Sequence, residues 1–138
     1  KNNTDKKKYK KIITQKKFKI FKNNISKIKF EMQKFIKHYN KNIIAIGAAT
    51  KGNTFLNYCD INHTQIKYVM DTSSEKIGKF LPKSGIQIIN EKLSIEKNFK
   101  ALIILPWNIS DYLFNKFKGK KIKVISLKII SDKIRNKK

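Results

Sequence analysis

Apolar residues recur along this chain with two different periods, and the change from one to the other outlines its elements. From Lys16 to Tyr39 they come at spacings of three and four: Phe18, Phe21, Ile25, Ile28, Met32, Phe35 and Tyr39. Such spacing gathers them on one stripe and predicts a long helix. The stripe packs on a sheet or on a neighbouring domain; a coiled-coil pairing is the other use of such a pattern, with few heptads to support it. Asn40, Lys41 and Asn42 end the helix, since Asn tolerates a left-handed cap. His38 reads as a surface residue that suits the helix dipole.

Short apolar runs follow. Ile43–Ile46, Ile66–Met70, Ile86–Ile89, Ala101–Leu105 and Ile122–Ile125 read as strands. Ala101–Leu105 is apolar on both faces and is therefore central. Between the runs, Phe55, Leu56 and Cys59 place a helix after Gly52. A short helix or turn is predicted at 91–97. Tyr112, Leu113 and Phe117 give another helix its buried face, with Asn108 as its N-cap, Asp111 in its first turn and Gly119 at its end. Glu75 to Gly85, broken by Gly78 and Pro82, is a loop and a candidate flap over a ligand crevice.

Alternating strands and helices predict an α/β fold: a Rossmann-like parallel sheet of about five strands flanked by helices, in the order 3-2-1-4-5, preceded by the long amphipathic helix. Residues 1–15 are expected to be a flexible basic lead-in from a preceding domain, 16–126 the Rossmann-like domain, and 127–138 a basic tail.

The first strand runs into Gly47-Ala48-Ala49-Thr50-Lys51-Gly52-Asn53. A tight turn into a helix leaves backbone N–H groups free at a positive helix end, which welcomes phosphate. Gly47, Ala49 and Gly52 stand at the glycine positions of the dinucleotide fingerprint, with alanine in the middle place. Gly47 and Gly52 also have phosphate-loop spacing, but Asn53 and Thr54 follow where that loop needs Lys and then Ser or Thr. A plain strand-to-helix turn remains the alternative. Asp71 ends the second strand, where an acidic residue of such a fold holds ribose hydroxyls; its other use is a turn or cap for Thr72–Ser74. Strands one and four are expected to be neighbours with connections leaving in opposite directions. That would open a crevice where Gly47–Lys51 meets Pro106, Trp107 and Asn108. Trp107 stacks on a base, packs on another domain or lids the core.

Composition narrows the chemistry. The chain has 138 residues and a net charge of +24, yet Arg135 is its only arginine. Phosphate and base readers favour Arg for its bidentate fork, and the lysines are spread along the whole chain. Drift from an AT-rich coding sequence and a purposeful polyanion surface both account for them. Cys59, the single cysteine, excludes internal disulfides and a Cys-based zinc site; on an apolar helix face it reads as packing. His63 stands alone in a loop. No Ser-His-Asp set, paired carboxylates or metal cluster is evident, so no catalytic residue and no metal ligand is assigned. No apolar run nears the ~18 residues of a membrane span and no signal peptide is visible, which leads to an expectation of a cytoplasmic protein. The chain opens on Lys1, not Met, and is expected to be a piece of a longer polypeptide.

Gly47-Ala-Ala-Thr-Lys-Gly-Asn-Thr-Phe-Leu-Asn-Tyr-Cys59 resembles the GAxAKGNTLLNYC signature of the C-terminal domain of C-methyltransferases acting on nucleotide-linked deoxysugars. Asp71, Lys76, Gly78, Leu81 and Pro82 resemble a second block of that family, and Leu105, Pro106, Trp107 and Asn108 a third. Lys83-Ser84 and Gln87 depart from it. The resemblance implies a three-part enzyme: a Cys-rich zinc-binding domain, a middle domain that binds S-adenosylmethionine and carries the catalytic base, and this Rossmann-like domain. It implies that a nucleotide-linked keto-sugar lies between the last two domains. There the base removes a proton beside the ketone and the carbanion takes the methyl. Gly47, Ala48, Lys51, Gly52 and Asn53 would then hold the diphosphate or sugar, with Asp71, Pro106, Trp107 and Asn108 in support. The implied partners are the nucleotide-sugar and the upstream catalytic domain, with no specific nucleic acid and no membrane. The fragment alone is expected to be inactive. An independent nucleotide- or dinucleotide-binding domain and a basic nucleic-acid-binding module are the competing readings.

Overall fold

The computed structural model describes residues 15–94 and 99–136. The proposed lead-in, except for Gln15, lies outside them. The elements run α1 (Gln15–Tyr39), β1 (Ile43–Ile46), α2 (Thr50–Tyr58), β2 (Tyr68–Asp71), β3 (Gln87–Asn90), α3 (Glu91–Ser94), β4 (Ala101–Ile104), a 3-10 turn (Trp107–Ile109), α4 (Ser110–Phe117), β5 (Lys123–Ser126) and α5 (Leu127–Arg135). All neighbouring strands pair in parallel, in the order β3-β2-β1-β4-β5. The α/β sheet and its predicted order are both present.

Side chains alternate across the sheet, and each face has its own core. Ile43 and Ala45 of β1, with Ala101 and Ile103 of β4, pack under α1, α2 and α5 through Met32, Ile36, Leu56, Cys59 and Ile130. Ile44, Ile46, Leu102 and Ile104 pack on the opposite face against Leu113 and Phe117 of α4. β1 and β4 are buried at every position, as the middle strands of a doubly covered sheet must be.

Helix α1 stops at two left-handed residues, Asn40 and Lys41, after a last turn that carries Lys37 and His38 toward its negative end. Its apolar stripe is covered only in part. Met32 is 0% exposed, whereas Phe18 and Phe21 are both 59% exposed. The stripe continues past the edge of the sheet, so packing on this domain accounts for its C-terminal half alone.

Several expectations are corrected. Asn108 is not an N-cap: the 3-10 turn at Trp107–Ile109 intervenes and α4 begins at Ser110 after Ile109, without a side-chain cap. Tyr112 is 67% exposed and does not share the buried face of Leu113 and Phe117. The Glu75–Gly85 loop is fastened along the outer edge of β3 by bonds from Gly78 N–H to Ile88 O and from Ile88 N–H to Lys79 O, at 2.9 and 2.8 Å. Its start stays beside the β1 turn, with the Lys76 ammonium 3.6 Å from Asp71, while the rest runs along β3. The segment read as a basic tail contains α5, capped by the Ser126 hydroxyl, which accepts from Ile129 N–H at 3.2 Å.

Candidate functional site

Two turns meet above the carboxyl ends of β1 and β4. Gly47 leaves β1 with φ +89°, and its N–H donates to Met70 O at 2.8 Å. A Cβ on Gly47 would stand 2.5 Å from Pro106 Cδ, so the β1 turn and the β4 turn touch at this point. Leu105 N–H donates to Ile46 O at 3.1 Å and ties the second turn to β1. The neighbouring-strand geometry expected of the crevice is therefore present. Lys51, on the first turn of α2, carries its ammonium over the Trp107 ring, 5.6 Å from the centroid. Trp107 is 37% exposed, open enough to offer a ring edge to a ligand.

The N-terminus of α2 is open. The first bond of its ladder runs from Asn53 N–H to Ala49 O at 3.0 Å, so the N–H groups of Thr50, Lys51 and Gly52 have no place in it. No side chain caps them. With Lys51 beside them, they form a cationic corner suited to an anion.

Gly52 has a different task from Lys51. It is buried, and a Cβ there would come within 2.7 Å of Leu105 Cβ. It lets α2 seat closely on the end of β4, the job that the last glycine of the fingerprint performs. Asn53 sits one residue on, with its amide oxygen buried and without a donor. A group that supplied one would recover roughly 1–3 kcal/mol of lost solvation.

Asp71 lies at the centre of the turn's support. One oxygen accepts the Ala48 N–H at 2.8 Å, and the other accepts the Ser73 N–H at 2.9 Å. Lys76 approaches the first at 3.6 Å, and the carboxylate is 13% exposed. Asp71 thus pins the Gly47–Ala48 turn to the end of β2, and its bond to Ser73 fills the Thr72–Ser74 turn role weighed from sequence. Asn108 lies exposed in the 3-10 turn beside Trp107 and forms no side-chain hydrogen bond among the described residues.

The structure therefore joins Gly47, Ala48, Lys51, Pro106, Trp107 and Asp71 through direct contacts, and seats Gly52 beneath them. Sequence reasoning quoted Lys76 and Leu105 within the family blocks but assigned neither a role in the site. Lys76 stands five residues past Asp71 with no periodic signal, and Leu105 looks like any apolar strand end. Cys59, the C-cap of α2, is fully buried, and burial pushes its thiol up to about 12; at neutral pH it is no nucleophile. Among the described residues, no group of three or more His, Cys, Asp or Glu could hold a metal, and no helix is long and apolar enough to cross a membrane.

The C-methyltransferase NovU of Streptomyces niveus is 34% identical over 68 residues, a span that covers 49% of this chain and 16% of that protein. The chain thus spans a minor part of the length of that relative. The family model for the C-methyltransferase C-terminal domain matches residues 2–125, which include β1 to β4, all of β5 but Ser126, the glycine turn and the Pro106–Trp107 turn. The chain belongs to the family of C-methyltransferase C-terminal domains.

Proposed function

We propose that this domain holds the nucleotide-linked sugar on which an upstream catalytic domain of the same polypeptide acts. The observation that carries the reading is the Lys51–Trp107 pair, 5.6 Å apart at the open N-terminus of α2. A diphosphate is the ligand chemistry that best uses free N–H groups, a helix dipole and an ammonium together. Trp107 then offers its ring to the nucleobase or the sugar, and Asn108 lies within the same turn. Asp71 acts by keeping Ala48 N–H and its neighbours in place.

The charge of the crevice favours a diphosphate over S-adenosylmethionine. That cofactor carries a sulfonium cation, and Lys51 with the positive end of α2 would repel it. Methyl donation and the catalytic base are therefore assigned to another part of the enzyme, and this chain by itself transfers no methyl group.

The test is an amide-shift titration of the isotopically labelled chain with a thymidine-diphosphate sugar and, separately, with S-adenosylmethionine. The sugar nucleotide is expected to move Gly47, Ala48, Lys51 and Trp107 in a saturable way, while the methyl donor leaves them in place. Saturable shifts at those amides with the methyl donor, and none with the sugar nucleotide, would overturn the assignment.

A further inference from the structure

The two edges of the sheet are treated differently. The outer edge of β3 is covered: the loop before it returns as an antiparallel bridge between Phe80 and Gln87, backed by the Gly78 and Lys79 bonds to Ile88. Among the described residues, β5 pairs with β4 on one side alone. Its Lys123 N–H donates to Lys100 O at 2.9 Å. In a parallel strand, alternate residues turn their N–H and C=O to opposite sides, so Val124 presents both to the outside. An open strand edge is a template for another extended chain.

That edge lies in a cleft of about 700 Å³. Both helical layers line it: Phe35, Tyr39 and Ile129 from one face of the sheet, and Phe114 from the other. An added strand points its side chains alternately to the two faces, so one set would meet Phe114 and the other the α1 and α5 side, where Lys34 and Lys133 stand beside Phe35, Tyr39 and Ile129. The rim is cationic. Lys34, Lys123 and Lys133 stand around it, against a single carboxylate, Glu31. Glu31 already faces Lys133 at 3.9 Å. Lys34 and Lys123 join no ion pair among the described residues.

We infer that the β5 edge is a docking groove for an extended acidic segment of a partner protein, one whose apolar side chains alternate with Asp or Glu. Strand addition supplies main-chain bonds at Val124, the aromatic floor takes the apolar side chains, and the lysines select acidic ones. The rim argues against a second copy of this chain as occupant, because like charges facing each other repel. The groove is remote from the crevice. His38 and Tyr39 end α1 before β1 starts, whereas the crevice opens where β1 ends. Its occupation is therefore independent of the nucleotide-sugar reading.

The probe is a short blocked peptide alternating Glu and Val. It is compared with its block isomer, in which all Glu precede all Val, and with the alternating Lys–Val peptide. Each is titrated into the full chain by calorimetry, with amide exchange followed by NMR. The alternating acidic peptide is expected to saturate and to slow exchange at Val124. The variant K34E/K123E should bind it about tenfold more weakly, the scale of two rim charges turned from attraction to repulsion. The variant K67E/K83E, reversed at a distance from the groove, should bind it as the parent does. Equal binding of the block isomer, or equal weakening by both variants, would overturn the inference and leave net charge as the cause. So would dimerisation of the free chain through Val124.

Discussion

Alanine at Gly47 should be far more damaging than alanine at Gly119, although the two glycines have nearly the same backbone. Their φ values are +89° and +86°. Around Gly119 an added Cβ would meet nothing within 4 Å, whereas at Gly47 it would lie 2.5 Å from Pro106 Cδ and 2.7 Å from Pro106 Cγ. The left-handed backbone costs an L-residue roughly 1–2 kcal/mol, and the stiffer unfolded chain returns about 0.4–1 kcal/mol. Gly119→Ala should therefore destabilise by about 1 kcal/mol. Gly47→Ala adds an overpacking term of roughly 1–3 kcal/mol, because proline is rigid and held by the Leu105–Ile46 bond. The expected difference between the two variants is about 2 kcal/mol. Urea unfolding followed by circular dichroism reads it directly. Pro106→Ala in the Gly47→Ala background should recover most of the difference, since it removes the two atoms in conflict. If the two glycine variants unfold at the same urea concentration, the turns do not touch as described, and the crevice loses its rigid floor.

Asp71→Asn replaces one acceptor with an amide donor, so one of the two backbone N–H groups loses its partner. A loss of roughly 1–3 kcal/mol is expected, together with weaker sugar-nucleotide binding; unchanged stability would show that the carboxylate does not hold the turn. Cys59 should resist iodoacetamide at neutral pH until the chain unfolds, and rapid labelling of the native protein would contradict its burial. Its folded thiol is raised from 9.0 to about 12, so the proton is held more tightly in the folded state than in the unfolded one. That contribution to stability is fully present below pH 9.0 and is lost as pH rises toward about 12. Cys59→Ala should decline less steeply across that range.

Much of this architecture was legible because its signals are local. The continuous apolar runs of β1 and β4 can only be inner strands, and the glycine turn announces the first strand-to-helix unit. What escaped depended on neighbours. The stripe of α1 shows which face of the helix is apolar, but not where the sheet beneath it ends, so Phe18 and Met32 looked alike. Asn108 has the chemistry of a cap, but the turn that Pro106 starts tightens into a 3-10 segment and shifts the helix start to Ser110. In α5, Ile130 and Ile134 have helical spacing and Ser126 is a cap, yet the surrounding lysines masked a short amphipathic element. Gly52 looked like a ligand contact from its motif; its closeness to Leu105 could be seen only once α2 was placed on β4. The bonds of Asp71 to Ala48 and Ser73 likewise needed the register of β1 and β2.

Trp107 is the chain's single tryptophan, so its fluorescence reports the crevice alone. Titration with a thymidine-diphosphate sugar is expected to change that emission along a saturating curve that Lys51→Ala shifts to higher concentration. A Trp107 signal that stays constant while the ligand binds, or one that Lys51→Ala leaves unmoved, would contradict the claim that these two turns jointly hold the sugar carrier.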